Sequence, residues 1–172
     1  VPKSLKKTIY TFKYNDFNGL LKLINQNPKI GTIKMEVQRD ITPKKNFLEK
    51  VRSLANKKGL VLIFDECTSG FRETFGGLHL KYKVYPDIAL FGKALGNGYA
   101  ITSIIGKKDI MKHANNSFIS STFWTERIGP SAGIATLKLM KKLKSWKIIT
   151  KKGQYIKKEI ARIANKHNLK IK

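Results

Sequence analysis

The chain has 172 residues and 35 Lys plus Arg against 11 Asp plus Glu, a formal charge of +24 that excludes an acidic disordered segment; its 41% apolar content, with 9 Phe and 6 Tyr, supplies a packed core. Its length fits one domain of roughly 100 to 200 residues, and the single cysteine, Cys67, excludes a disulfide framework or thiolate metal cluster and suits a reducing cytoplasm. No apolar run reaches the roughly 18 to 20 residues of a membrane span, and Val1 to Asn18 lacks the continuous apolar stretch of a signal peptide.

The first third contains a helical pattern over Phe17 to Asn25, with Phe17, Leu20, Leu21, Leu23 and Ile24 on its apolar side and the Asn27-Pro28 pair as its stop. A short β-rich run, IGTIKMEV, follows. Pro43 opens a second amphipathic helix that presents Phe47, Leu48, Val51, Leu54 and Ala55, and Lys57, Lys58 and Gly59 end it. The next residues, Leu60 to Phe64 (LVLIF), are apolar on both faces, which predicts a parallel strand covered from both sides. Beyond Asp65 the chain is polar and glycine-rich through SGFRETFGG; Pro86-Asp87 then precedes the apolar runs IALFG and YAITSIIG. Strands alternating with helices predict an α/β fold. A long helix starting near Arg127 carries Ile134, Leu137 and Met140, and another spans Gly153 to Lys166. The residues from His167 to Lys172 alternate like a strand just beginning, and position 1 is Val, so the chain reads as a piece of a longer polypeptide.

Clustered cations can bind phosphates by releasing counterions. Here only five are arginines (Arg39, Arg52, Arg72, Arg127, Arg162), whereas specific phosphate and base recognition favours the bidentate guanidinium. The Lys-rich stretch KLMKKLKSWKIITKKGQYIKKE places Leu139, Leu143, Trp146 and Ile149 along one helical side and cations on the other, the pattern of a solvated face. A Lys-rich module for nucleic acid or another polyanion is therefore the less favoured reading.

In open parallel sheets, ligands bind beyond the carboxyl ends of the strands. Asp65 and Glu66 end LVLIF, and Lys93 follows IALFG among glycines 92, 96 and 98. A lone lysine is ordinarily a surface residue, and Asp65 alone would read as a cap or turn residue. Lys93 is the only charge from Ile88 to Gly106, which predicts a partly desolvated amine suited to attack on a carbonyl. The GKALGNG segment is not a phosphate loop, because position 87 is Asp and Ala94 follows Lys93; nor is it GxGxxG, because Ile101 takes the last place. His79, His113, His167 and Cys67 lack metal-ligand spacing, and no GxSxG elbow occurs.

The stretch LVLIFDECTSGFRETFGG followed by PDIALFGKALGNGYAITSIIGKKDIM resembles the core of the class III pyridoxal-phosphate-dependent aminotransferases, most of all the glutamate-1-semialdehyde aminomutase branch. The similarity runs from about Asn15 to the end, and it rests on strand, Asp-Glu, Thr/Ser-Gly-Phe-Arg, Pro-Asp and Gly-Lys in one order. The resemblance implies the large domain of a fold type I transferase, with a mostly parallel sheet flanked by helices. Residues 1–143 would be its later part, and 144–172 a helix leading to a small C-terminal domain. It implies pyridoxal 5'-phosphate as cofactor, with Lys93 holding it as a Schiff base and later shuttling a proton, and Asp65 paired with the pyridine nitrogen. An anion there keeps the nitrogen protonated and the ring an electron sink. Cys67 stands where the family usually has a ring-packing Val, Thr68 where the cofactor hydroxyl is contacted, and Thr122 where a hydroxyl reaches the phosphate.

The pattern also departs from the family. Trp124-Thr125-Glu126-Arg127 replaces Gly-Asn-Pro, making Thr125 a rival phosphate ligand, and Glu36 is followed by Val37 instead of Pro, leaving it a structural or substrate-side role. Family members are more than twice this length, with an upstream phosphate loop and a stacking aromatic. The expected protein is a cytoplasmic homodimeric aminotransferase acting on an amine and a keto or aldehyde partner, with aminomutase activity the alternative and little turnover by this piece alone.

Overall fold

The computed structural model describes residues 2–122 and 125–171. After a short 3-10 turn at Lys3–Leu5, the order is α1 (Phe17–Gln26), β1 (Thr32–Glu36), α2 (Phe47–Lys58), β2 (Val61–Asp65), α3 (His79–Tyr82) and β3 (Ile88–Phe91). A 3-10 turn at Lys93–Leu95 leads to β4 (Ser103–Gly106), α4 (Lys108–Met111), a further 3-10 segment at Lys112–Asn116, and the long helices α5 (Ile128–Leu143) and α6 (Ser145–Lys166).

Local chemistry explains most boundaries. The Asp16 side chain accepts a hydrogen bond from the Gly19 N–H at 2.9 Å and caps α1. Gly59, at φ 65°, ends α2 in the left-handed conformation that glycine adopts most readily, and Lys57 and Lys58 complement the helix dipole there. Pro43 lies outside α2, which begins at Phe47. At the other end of the chain, α6 starts directly after Lys144, whose φ of 51° breaks the helical path from α5. The region read as one basic amphipathic face is thus two helices, and Leu139, Leu143 and Ile149 stand exposed. No strand forms after α6 among the described residues.

The strands form one sheet in the order β1-β2-β3-β4. The first three are parallel, with Glu36 opposite Asp65 and Asp65 opposite Leu90, while β4 is antiparallel to β3 and pairs Ser103 with Phe91. The carboxyl ends of β1, β2 and β3 therefore meet along one edge.

On one face of the sheet, Ile33, Met35, Leu62 and Phe64 share the main core with Leu20 and Ile24 of α1 and Val51 and Leu54 of α2. Fully burying a side chain such as Phe64 or Leu62 contributes about 1.5–3 kcal/mol. On the opposite face, Val61 and Ile63 are half-buried. Their β1 neighbours on that face, Thr32 and Lys34, are exposed and polar. A second, smaller core joins Ala89, Phe91 and Leu95 to Phe71, Ile101 and Leu137, and so fixes α5 against the turn that carries Lys93.

Candidate active site

Asp65 ends β2 and Lys93 opens the turn after β3, so the parallel register delivers both to one sheet edge. Lys93 adopts φ 44°, a conformation that costs an L-residue roughly 1 kcal/mol and redirects the side chain as the strand ends. Its Nζ donates to the Thr68 hydroxyl at 2.6 Å. Lys93 is exposed. This corrects the expected desolvation: its uncharged neighbours Phe91 and Leu95 turn into the small core, while residue 93 itself faces outward.

The Asp65 carboxylate uses both oxygens. Oδ1 accepts from the Cys67 N–H at 3.2 Å, and Oδ2 pairs with the Lys34 ammonium at 3.0 Å. Partial burial raises the Asp65 carboxyl, but the hydrogen bonds from Lys34 and Cys67 outweigh it and hold the group below the usual carboxylate range. Asp65 is therefore an anion at neutral pH. Cys67 lies between the two candidate residues: a Cβ at Gly92, next to Lys93, would lie 3.4 Å from its Sγ. Burial and the adjoining Asp65 push the thiol up against the pull of Lys93 and Lys34, which favours an inert, packing thiol over a nucleophile. Across the register from Asp65, the Glu36 Oε1 lies 3.5 Å from Arg39, and its Oε2 is buried with no hydrogen-bond partner among the described residues.

Behind this edge the loop from residue 66 to 79 is tied to Glu66. Its carboxylate accepts from the backbone N–H groups of Leu78 and His79, both at 2.9 Å, from the Ser69 hydroxyl, and contacts His79 Nδ1 at 2.9 Å. That fastening holds Thr68 beside the lysine. At Gly70 the loop packs tightly on the sheet, since a Cβ there would lie 2.7 Å from the Glu66 carbonyl oxygen and 2.8 Å from the Phe91 ring. Gly70→Ala is expected to destabilise by about 1–3 kcal/mol in urea unfolding, and an unchanged midpoint would contradict this packing.

The structure thus brings Asp65, Cys67, Thr68 and Lys93 together. Thr122 and Thr125 are exposed before α5 and are not among the residues hydrogen-bonded within this cluster, and Trp124 lies outside the described residues. Sequence reasoning assigned no role to Lys34 or to the Glu66 carboxylate. The alternation of β1 could have shown Lys34 on the Asp65 face, but the Glu66 contacts to residues 78 and 79 had no local signal.

A family model for the class-III aminotransferases matches residues 39–172, which is most of the chain. The chain belongs to this family. It is 35% identical to a 3-aminobutyryl-CoA aminotransferase of Cloacimonas acidaminovorans, over 99% of this chain and 43% of the relative. Similarity to a glutamate-1-semialdehyde 2,1-aminomutase of Wigglesworthia glossinidia brevipalpis is 36%, over 93% of this chain and 39% of that protein. In both comparisons the chain spans about two fifths of the relative's length. Among solved structures, the FumI protein of Sphingopyxis sp. MTA144 in its PLP internal aldimine form matches with a TM-score of 0.88 at 20% identity, over 95% of this chain and 41% of that one. An ornithine aminotransferase from Plasmodium yoelii matches at 0.70 and 26%, over 77% and 37%. The fold is that of the aminotransferases.

For a class-III aminotransferase the cofactor is pyridoxal phosphate, and the donor set at this edge fits it. An exposed primary amine suits an aldehyde, an ionised carboxylate suits a protonated ring nitrogen, and the Thr68 hydroxyl is a polar group beside the amine.

Proposed function

We propose that this chain contributes the lysine-bearing part of the large domain to a pyridoxal-phosphate-dependent aminotransferase. Residues 1–143 belong to that domain and 144–172 begin the link to a smaller one. The observation that carries the reading is the Lys93 amine held at 2.6 Å from Thr68 on the edge where Asp65 is kept ionised.

Bound pyridoxal phosphate would supply an aldehyde that takes up amines and a ring that accepts the electron pair of the substrate carbon. Lys93 would hold it through Nζ, and the same amine, when free, could take up and give back a proton. Asp65, as an anion, would keep the ring nitrogen protonated. Thr68, which accepts from the Lys93 amine, would orient it, Cys67 would offer a packing surface to the ring, and Thr122 or Thr125 would hold the phosphate. The substrates are an amine and a keto or aldehyde partner. A second reading, intramolecular transfer as in glutamate-1-semialdehyde aminomutase, is favoured by the relatives of that name at 30–36% identity.

The working enzyme is a cytoplasmic homodimer on this reading. The apolar side chains exposed along α5 and α6, among them Ile134, Leu139, Ile156, Ile160 and Ile163, support burial of these faces in a larger assembly.

The test is covalent. Treating the protein with pyridoxal phosphate and then borohydride should place the reduced pyridoxyl group on Lys93, and Lys93→Ala should remove that labelled peptide. Label spread evenly over other lysines, with none enriched at position 93, would overturn the reading.

A further inference from the structure

Strand β1 alternates. Ile33 and Met35 enter the main core, which leaves Thr32, Lys34 and Glu36 on the other face. The parallel register sets Lys34 opposite Ile63 and Glu36 opposite Asp65, two residues further along. From there the Lys34 side chain reaches forward, and its Nζ comes to 3.0 Å from Asp65 Oδ2. Since Oδ1 already accepts from Cys67, the oxygen aimed away from the turn has a cation on it.

We propose that Lys34 is a positioning residue that shares the Asp65 carboxylate with the ring nitrogen of the cofactor and lowers that nitrogen's affinity for its proton. This rests on the reading of Asp65 as the partner of the ring nitrogen. Two cations on one carboxylate repel each other, and each takes a smaller part of the anion's field than it would alone. The charged and titratable groups around Asp65 are Lys34 and Glu36 from β1, Cys67 from the turn after β2, and Lys93 from the turn after β3. Of these, Lys34 is the cation in direct contact. Its side chain is 56% exposed, so water and salt screen it and the effect is modest. Lys34 thus tunes how strongly the ring withdraws electrons, without touching substrate.

The test follows the 15N resonance of the ring nitrogen of 15N-labelled pyridoxal phosphate bound to the full protein, titrated from about pH 6 to about pH 10. Lys34→Met should raise the midpoint by about 0.5–1 pH unit, a proton affinity roughly three- to tenfold higher, whereas Lys34→Arg should keep the wild-type midpoint. Added salt should move the wild-type midpoint towards that of Lys34→Met. A midpoint that does not rise in Lys34→Met, including a nitrogen that stays protonated throughout in both proteins, overturns the proposal while leaving a label at Lys93 intact. Absence of any bound probe signal together with absence of the borohydride label at Lys93 overturns the functional reading, and this proposal with it.

Discussion

Asp87→Ala is expected to cost about 3–5 kcal/mol of folding stability, the scale of a buried charge stripped of its partner. Asp87 stands just before β3 and is 7% exposed. One oxygen, Oδ2, accepts from Arg52 of α2 and from the Leu62 N–H of β2, both at 2.8 Å, while Oδ1 takes the Lys107 ammonium at 2.7 Å. Burial raises this carboxyl, but the Leu62 N–H, Lys107 and Arg52 outweigh it and hold it below the ordinary carboxylate range. Alanine would leave the Arg52 guanidinium, whose side chain is 16% exposed, without its counter-ion, and the Leu62 N–H without an acceptor in the sheet interior. Asp87→Asn keeps an acceptor for Leu62 and should lose about half as much. Lys107→Met should lose about 1 kcal/mol or less, because that cation is 57% exposed. Urea unfolding monitored by circular dichroism orders the three. Equal losses for Asp87→Ala and Lys107→Met would show that the Arg52 and Leu62 contacts contribute little.

The Asp87 cluster also marks where sequence reading stops. Pro86-Asp87 is legible as the entry to a strand, and LVLIF as a strand, because both signals are local. What Asp87 binds lies 35 residues back at Arg52 and 25 back at Leu62, and no periodicity announces such a pairing. The antiparallel direction of β4 was equally silent, since a short apolar run carries no direction. Lys93 shows a subtler failure. A stretch free of other charges suggested a desolvated amine, yet a positive φ at the turn sends that side chain outward while Phe91 and Leu95 go inward. Conversely, the placement of Asp65 and Lys93 at one sheet edge was legible because parallel strands align their carboxyl ends, a constraint of topology that holds whatever the intervening loop does.

Glu66→Ala should be comparably damaging, at about 3–5 kcal/mol near neutral pH, and it should also flatten the response of stability to acid. The Glu66 side chain has no solvent exposure, and without its carboxylate the buried N–H groups of Leu78 and His79 have lost their acceptor. Burial raises the Glu66 carboxyl; hydrogen bonds from His79 and Ser69 and from the backbone of His79 and Leu78 outweigh it, so its folded-state value lies below the ordinary one. The unfolded chain therefore binds this proton more readily than the folded one. The stabilisation is complete above the unfolded value, near 4.3, and disappears as pH falls through the depressed folded value. Wild-type stability should decline on acidification below about pH 4, and Glu66→Gln, which has no proton to take up there, should decline less steeply, with the remaining slope carried by Asp65 and Asp87. Parallel acid profiles for wild type and Glu66→Gln would remove Glu66 from this role. The loop it fastens places Thr68 at the Lys93 amine, so loosening it should reach the site as well: in Glu66→Gln, borohydride labelling at Lys93 should be slower even where the protein remains folded.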